Sequence, residues 1–309
     1  MNYDIISVGI ISLDIILTIP FFPEINSECF CKDIYKYHGG AAANFASFSS
    51  FYGGLRVGLM SAIGSDNIGK KLVRRMSEYN VCTRGVKKIE NLESSQIFTL
   101  QIPNGNHKFI VDLNAFDKID TIDLPKDYIF NSKLFYIAPG TAKIHEEIIK
   151  FAFKNKKQIG FNPGSVYMEQ ESKKNLINLL KFVDFLFINE NEALFYSNEN
   201  NIKDAGIKFL NFGVKHVLIT QGEKGSSVFF KNNHKFFPGY KLKRKGVYGA
   251  GDAFAAGFLS DFLKTGNIDS AMENGNIFGA YQVKTLEMRG ENPDKNKFLY
   301  FYKKMHNEQ

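Results

Sequence analysis

Three cysteines in 309 residues (Cys29, Cys31 and Cys82) are too few for a disulfide framework, and the Cys-x-Cys spacing lacks the second ligand pair of a zinc site. The six histidines show no His-x-x-x-His or similar pairing, so any metal is expected to be a hard cation held through oxygen. No apolar run approaches the ~18 residues that span a bilayer. Met1-Asn2-Tyr3-Asp4-Ile5 has neither the basic start nor the apolar stretch of a signal peptide, and a cytoplasmic protein without membrane contact is expected. The net charge of +7 comes from 39 Lys and Arg scattered among 32 acids, without the dense basic stripe of a nucleic-acid footprint. The tightest cluster, Lys241-Leu242-Lys243-Arg244-Lys245, reads either as a solvated loop or as an attractor of phosphate.

What the chain does contain is ordinary for a globular protein: 44% hydrophobic and 23% charged residues. At this length, folding buries roughly 75% of the surface of the unfolded chain. Short apolar runs at Tyr3–Val8, Leu55–Ile63, Leu134–Ala138, Gln158–Phe161, Phe185–Ile188 and His216–Thr220 read as buried strands. Between them lie amphipathic segments near 67–79, 143–155, 172–182 and 202–212. This alternation predicts an α/β fold, a mostly parallel sheet with helices on both faces, and ligands beyond the carboxyl ends of the strands. Residues about 15–37 and 94–113 break the pattern. Ser95–Gln101 and His107–Leu113 flank Pro103-Asn104-Gly105-Asn106, which reads as a hairpin, and the two stretches together predict a small β lid. There is no internal repeat or long linker, so residues 1–309 read as one domain with that lid.

Two motifs carry chemistry. In Gly249-Ala250-Gly251-Asp252, small residues precede a helix in which Phe254, Phe258 and Phe262 recur and Gly266 is a natural stop, so a helix starts at or near Asp252. Bare N–H groups at Gly249, Ala250 and Gly251 and the positive helix end make an anion site, although Asp is also a common helix cap. In Gly39-Gly40-Ala41-Ala42-Ala43-Asn44, paired glycines suit a turn that a ligand approaches closely, or a helix start packed tightly against a neighbour. Asn44 falls one turn into a helix that ends at Gly53-Gly54.

Together and in this order, the two motifs resemble the signatures of the ribokinase-like (PfkB) carbohydrate kinases. Val8-Gly9 followed by Asp14 resembles the family's first strand, whose aspartate binds substrate hydroxyls. Asn189-Glu190-Asn191-Glu192 resembles its magnesium and phosphate motif, and Thr220-Gln221-Gly222-Glu223-Lys224-Gly225 its nucleotide-binding turn. Gly-Gly-Ala-Ala-Ala-Asn, Phe161-Asn162-Pro163-Gly164 and Ala256-Gly257-Phe258-Leu259-Ser260 look most like archaeal nucleoside kinases.

The resemblance implies an ATP- and Mg²⁺-dependent kinase with Asp252 as general base and Gly249, Ala250 and Gly251 as anion hole. Asn189, Thr220, Gly222 and Gly225 would bind ATP, while Asp14, Gly39, Gly40 and Asn44 would hold the acceptor. Glu192 and Asn189 would hold Mg²⁺ through water. Gly246-Val247-Tyr248 stands where relatives carry Asp-Thr-Thr or Asp-Pro-Thr, which counts against K⁺ activation. The acceptor is a nucleoside or a sugar of the ribokinase, fructokinase or 2-keto-3-deoxygluconate kinase type, and Phe109, Phe116 and Tyr136 are candidates to wall a slot for a base. A non-catalytic, ligand-binding regulator is the other reading. A dinucleotide oxidoreductase is disfavoured, because Val8-Gly9-Ile10-Ile11-Ser12 lacks Gly-x-Gly-x-x-Gly. The exposed edge of the lid would suit a homodimer.

Overall fold

This computed structural model describes residues 2–103, 106–119, 125, 128, 131–168, 170–231, 233–242, 248–285 and 293–307. Asn104-Gly105 of the expected turn, Lys243-Arg244-Lys245 and Gly246-Val247 lie outside the described residues.

The chain opens with β1 (Tyr3–Val8), β2 (Ser12–Thr18) and β3 (Asp33–Gly39). Helix α1 (Ala41–Ser47) continues as a π-helical turn over Phe48–Tyr52 and stops at Gly53. Next come β4 (Val57–Gly64), α2 (Asn67–Glu78), β5 (Cys82–Ile89), β6 (Gln96–Gln101) and β7 (His107–Asp112). The central part contains β8 (Ser132–Ile137), α3 (Ala142–Lys154), β9 (Gln158–Phe161), α4 (Gln170–Leu180) and β10 (Phe185–Asn189). Then follow α5 (Glu190–Ser197), α6 (Ile202–Asn211), β11 (His216–Thr220), β12 (Gly225–Phe230) and β13 (Asn233–Pro238). Three helices, α7 (Ala250–Thr265), α8 (Ile268–Thr285) and α9 (Lys295–Asn307), end the described chain.

The large sheet has the order β13-β12-β11-β10-β9-β8-β1-β4-β5 and is parallel from β11 to β5. β12 and β13 add an antiparallel edge that the pattern of apolar runs did not indicate. Central strands read as continuous apolar runs because both faces are covered. On one face Ile5, Leu134, Tyr136, Phe185, Phe187 and Leu218 pack under α1, α2 and the C-terminal helices. On the other, Ile6, Val8, Phe135, Ile137, Ile159, Phe161, Leu186 and Ile188 pack under α3 to α6. Each fully buried side chain of this size contributes about 1.5–3 kcal/mol.

The smaller sheet, β3-β2-β6-β7, is built from the two segments that broke the βα pattern. It joins the large sheet through the Gly9–Ile11 connection after β1, so it rises from the carboxyl end of that interior strand. Helix α7 lies close against α8: a Cβ on Gly257 would come within 2.7 Å of the Phe278 ring, and one on Gly275 within 2.9 Å of Phe254. This packing fixes the direction in which α7 presents its N-terminus.

Candidate active site

Gly249 caps α7 in the left-handed region (φ 74°), a conformation that costs glycine little. It brings no side chain, so the first N–H groups of α7 face outward uncapped beside the positive helix end. The helix begins at Ala250, near Asp252 as expected. Asp252 is therefore in the first turn and does not cap the helix. Its carboxylate instead accepts a 3.0 Å hydrogen bond from Asn44 Nδ2, and Asn44 Oδ1 is buried without a partner. Burial pushes the Asp252 carboxyl up to about 7, the Asn44 bond works against that rise, and the negative charges of Asp14 and Glu192 add to it.

The glycine pair closes the opposite wall. Gly40 caps α1 with φ 93°, and a Cβ there would run into the carbonyl of Ile10. A Cβ on Gly39 would occupy the position of the Asp14 carboxylate, which folds over that glycine and also accepts from Ser12 Oγ at 2.7 Å. Only a bare backbone at Gly39 leaves Asp14 in place. The structure thus brings Asp14, Gly39, Gly40 and Asn44 together with the first turn of α7.

On the far side of that turn lies a cavity of about 350 Å³, lined by Asn189, Thr220, Gly222, Gly225, Ala250 and Gly251 with apolar walls from Tyr240, Leu242 and Val283. A smaller cavity of about 140 Å³ shares Asn189, Thr220 and Gly251 and adds Asn162 and Glu192. Asn189 ends β10 and caps α5 in a capping box: Glu192 N–H donates to Asn189 Oδ1 at 2.9 Å, and Asn189 N–H donates to Glu192 Oε2 at 3.0 Å. Burial pushes the Glu192 carboxyl up. Among the described residues no three His, Cys, Asp or Glu side chains cluster tightly enough to cage a metal. With one Glu192 oxygen engaged in the cap, this donor set fits a cation that keeps its own water shell.

The pfkB family carbohydrate kinase profile matches residues 2–295. The chain belongs to the pfkB family. This pfkB kinase is 28% identical over 244 residues to the cytidine kinase of Thermococcus kodakarensis, covering 77% of this chain and 84% of that protein. It is 29% identical over 260 residues to a nucleoside kinase of Methanocaldococcus jannaschii, covering 83% and 82%. The crystal structure of the Methanocaldococcus jannaschii nucleoside kinase superposes with a TM-score of 0.81 at 26% identity, covering 98% of both chains. As a pfkB protein it is a phosphotransferase acting on a sugar or nucleoside hydroxyl, with the ribokinase-like fold.

Two expected wall residues of this pfkB kinase are placed elsewhere. Phe116 is fully buried in the core under the second face, and Tyr136 is fully buried and stacked on Phe45 at 3.6 Å between ring centroids. Neither can face a base, because both are committed to core packing. Phe109 alone of the three is exposed, on β7 of the smaller sheet. Sequence reading missed Gln282, whose Nε2 donates to the Tyr248 carbonyl at 2.9 Å and braces the turn before Gly249. A polar residue inside a long amphipathic helix carries no signal of such a role. Among the described residues no helix is long and apolar enough to cross a membrane.

Proposed function

We propose that this kinase transfers the γ-phosphoryl group of ATP to a primary hydroxyl of a nucleoside, with Asp252 as general base. The observation that carries the reading is the Asp252 carboxylate, buried at the open N-terminus of α7 and held by Asn44 with its pKa pushed up to about 7. A base poised near the working pH is efficient, and such a group contributes about 10²–10⁴-fold.

In this reading the adenine and ribose of ATP lie in the cavity between Tyr240, Leu242, Val283 and the Thr220–Gly225 turn, with Asn189 at its edge. The γ-phosphoryl group meets the N–H donors at Gly249, Ala250 and Gly251, where loss of one such donor typically costs ~3 kcal/mol. Mg²⁺, held through water by Glu192 and Asn189, would neutralise phosphate charge. Asp14, the backbone at Gly39 and Gly40, and Asn44 hold the acceptor, and the unpartnered Asn44 Oδ1 suits a hydroxyl donor. Asp252 takes the proton of the attacking hydroxyl as the phosphoryl group arrives.

Two observations support a nucleoside. Relatives at 28% and 29% identity are named cytidine kinase and nucleoside kinase. Among the described residues the charges that act on Asp252 are the carboxylates of Asp14 and Glu192, a field that suits a neutral acceptor better than a sugar acid or sugar phosphate. Residues 1–309 act in this reading as one kinase unit in the cytoplasm, with the smaller sheet as lid. Its edge strands β3 and β7 expose Ile34, Tyr35, Phe109, Ile110 and Val111, which a second copy would cover, and light scattering across concentrations tests that dimer.

The deciding experiment is ADP release from Mg-ATP with nucleosides, ribose, fructose, fructose 6-phosphate and 2-keto-3-deoxygluconate as acceptors. Turnover with inosine, guanosine or cytidine supports the reading. Turnover confined to sugars keeps the mechanism and removes the nucleoside, and silence with every acceptor favours a ligand-binding regulator.

A further inference from the structure

We infer that Tyr248 is a positioning residue that ties the smaller sheet to the anion site, so that the anion site is set only when the lid is seated. The inference rests on the reading of Asp252 as base and of α7 as the phosphoryl site. The Tyr248 side chain reaches from the turn before α7 across to the smaller sheet. Its hydroxyl donates to Gln101 Oε1 at 2.8 Å, at the end of β6. Its ring meets His107 and Phe109 of β7 edge-on, with centroid distances of 5.2 Å and 6.2 Å, and those two rings are 4.8 Å apart. All three partners belong to the smaller sheet.

The backbone of the same residue is tied to the other side of the site. Its carbonyl accepts from Gln282 Nε2 on α8, and the next residue is Gly249, the left-handed cap of α7. A Cβ on Gly249 would lie 3.3 Å from Asn44 Nδ2 and 3.4 Å from Gln282 Nε2. Asn44 Nδ2 is the group that holds Asp252. Gln101 is thus bonded to Tyr248, Tyr248 adjoins Gly249, and the open side of Gly249 faces the Asn44 amide that holds Asp252. The torsions of Gly249 aim the N–H groups of Ala250 and Gly251, and Tyr248, just before that hinge, is held by its side chain and by its carbonyl. A seated lid fixes the donors, and a raised lid frees the side chain that steadies them.

Tyr248→Phe removes the hydroxyl and keeps the ring, and Gln101→Leu cuts the same bond from the lid side. With the acceptor that the wild type uses best, each is expected to lower kcat about fivefold or more, the scale of one lost hydrogen bond, while KM for ATP stays within about twofold. The double variant should be no worse than either single one, because all three lack one shared bond. Deuterium exchange, which needs no turnover, should quicken at both 96–101 and 249–255 in each variant. Independent, multiplying losses would overturn the coupling. So would a rise in ATP KM alone, which would make Tyr248 a wall of the nucleotide site, or unchanged exchange at 249–255. A wild type that Asp252→Asn fails to impair would sink the base assignment instead, and the exchange readout would still decide Tyr248.

Discussion

Asn44 donates its side-chain N–H to the carboxylate of Asp252 across 3.0 Å, although 208 residues separate them. One residue is in the first helix and the other in the first turn of α7, and both signature motifs meet at this bond. It stabilises the charged form of a carboxyl that burial would otherwise keep protonated.

Asp252→Asn is expected to fold and to bind ATP as the wild type does, while kcat falls by about 10²-fold or more. Isothermal titration with ATP and a coupled ADP assay separate the two properties. More than a tenth of wild-type kcat would remove Asp252 from the base role.

The pH profile should carry the same carboxyl. A base must be deprotonated to accept a proton, so with Asp252 in the proposed role kcat/KM should fall below a pH near 7. Asn44→Ala removes a bond that favours the charged form, so the acid limb should move to higher pH. A limb that stays in place would detach it from Asp252.

Stability should respond with the opposite sign from a salt-bridged acid. The folded-state pKa is raised from 3.8 to about 7, so the native state binds more protons in that window and loses stability as pH rises through it. At about 1.36 kcal/mol per unit, the loss by pH 8 amounts to about 4 kcal/mol. Asp252→Asn should therefore melt above the wild type at pH 8 and beside it near pH 4, as scanning calorimetry would register.

Gly39→Ala places a methyl group where the Asp14 carboxylate lies. The carboxylate must swing away, so KM for the acceptor should rise tenfold or more with ATP affinity unchanged. An unaltered acceptor KM would take Asp14 out of acceptor binding.

Glu192→Gln keeps an oxygen for the Asn189 N–H and so keeps the cap of α5, but loses the charge. The Mg²⁺ titration should shift to higher concentration with little change in melting temperature. A lowered melting point with an unmoved Mg²⁺ curve would make Glu192 a capping residue only.

The strands of the parallel sheet were legible because burial on both faces leaves uninterrupted apolar runs, and Tyr3–Val8, Gln158–Phe161 and His216–Thr220 coincide with β1, β9 and β11. The start of α7 near Asp252 is legible from the recurring Phe254, Phe258 and Phe262, whereas its exact cap is a glycine conformation that leaves no apolar pattern. Phe116 and Tyr136 were misjudged because, among 30 Phe and 14 Tyr, composition does not tell a core ring from a wall ring. Tyr248 and Gln101 could not be paired, because their bond is made by the way two sheets are set against each other and leaves no local pattern.

β1 lies inside the large sheet, with β4 on one side and β8 on the other. During synthesis β1 leaves the ribosome before either neighbour, and Ile5 waits for its partner Leu134 until more than a hundred residues have followed. One edge of β1 stays open through that interval and can pair with a neighbouring nascent chain. Aggregation during translation is thus the hazard this strand order creates. Asp252 emerges later still, so a chain abandoned before that point has Asn44 without the carboxylate it holds.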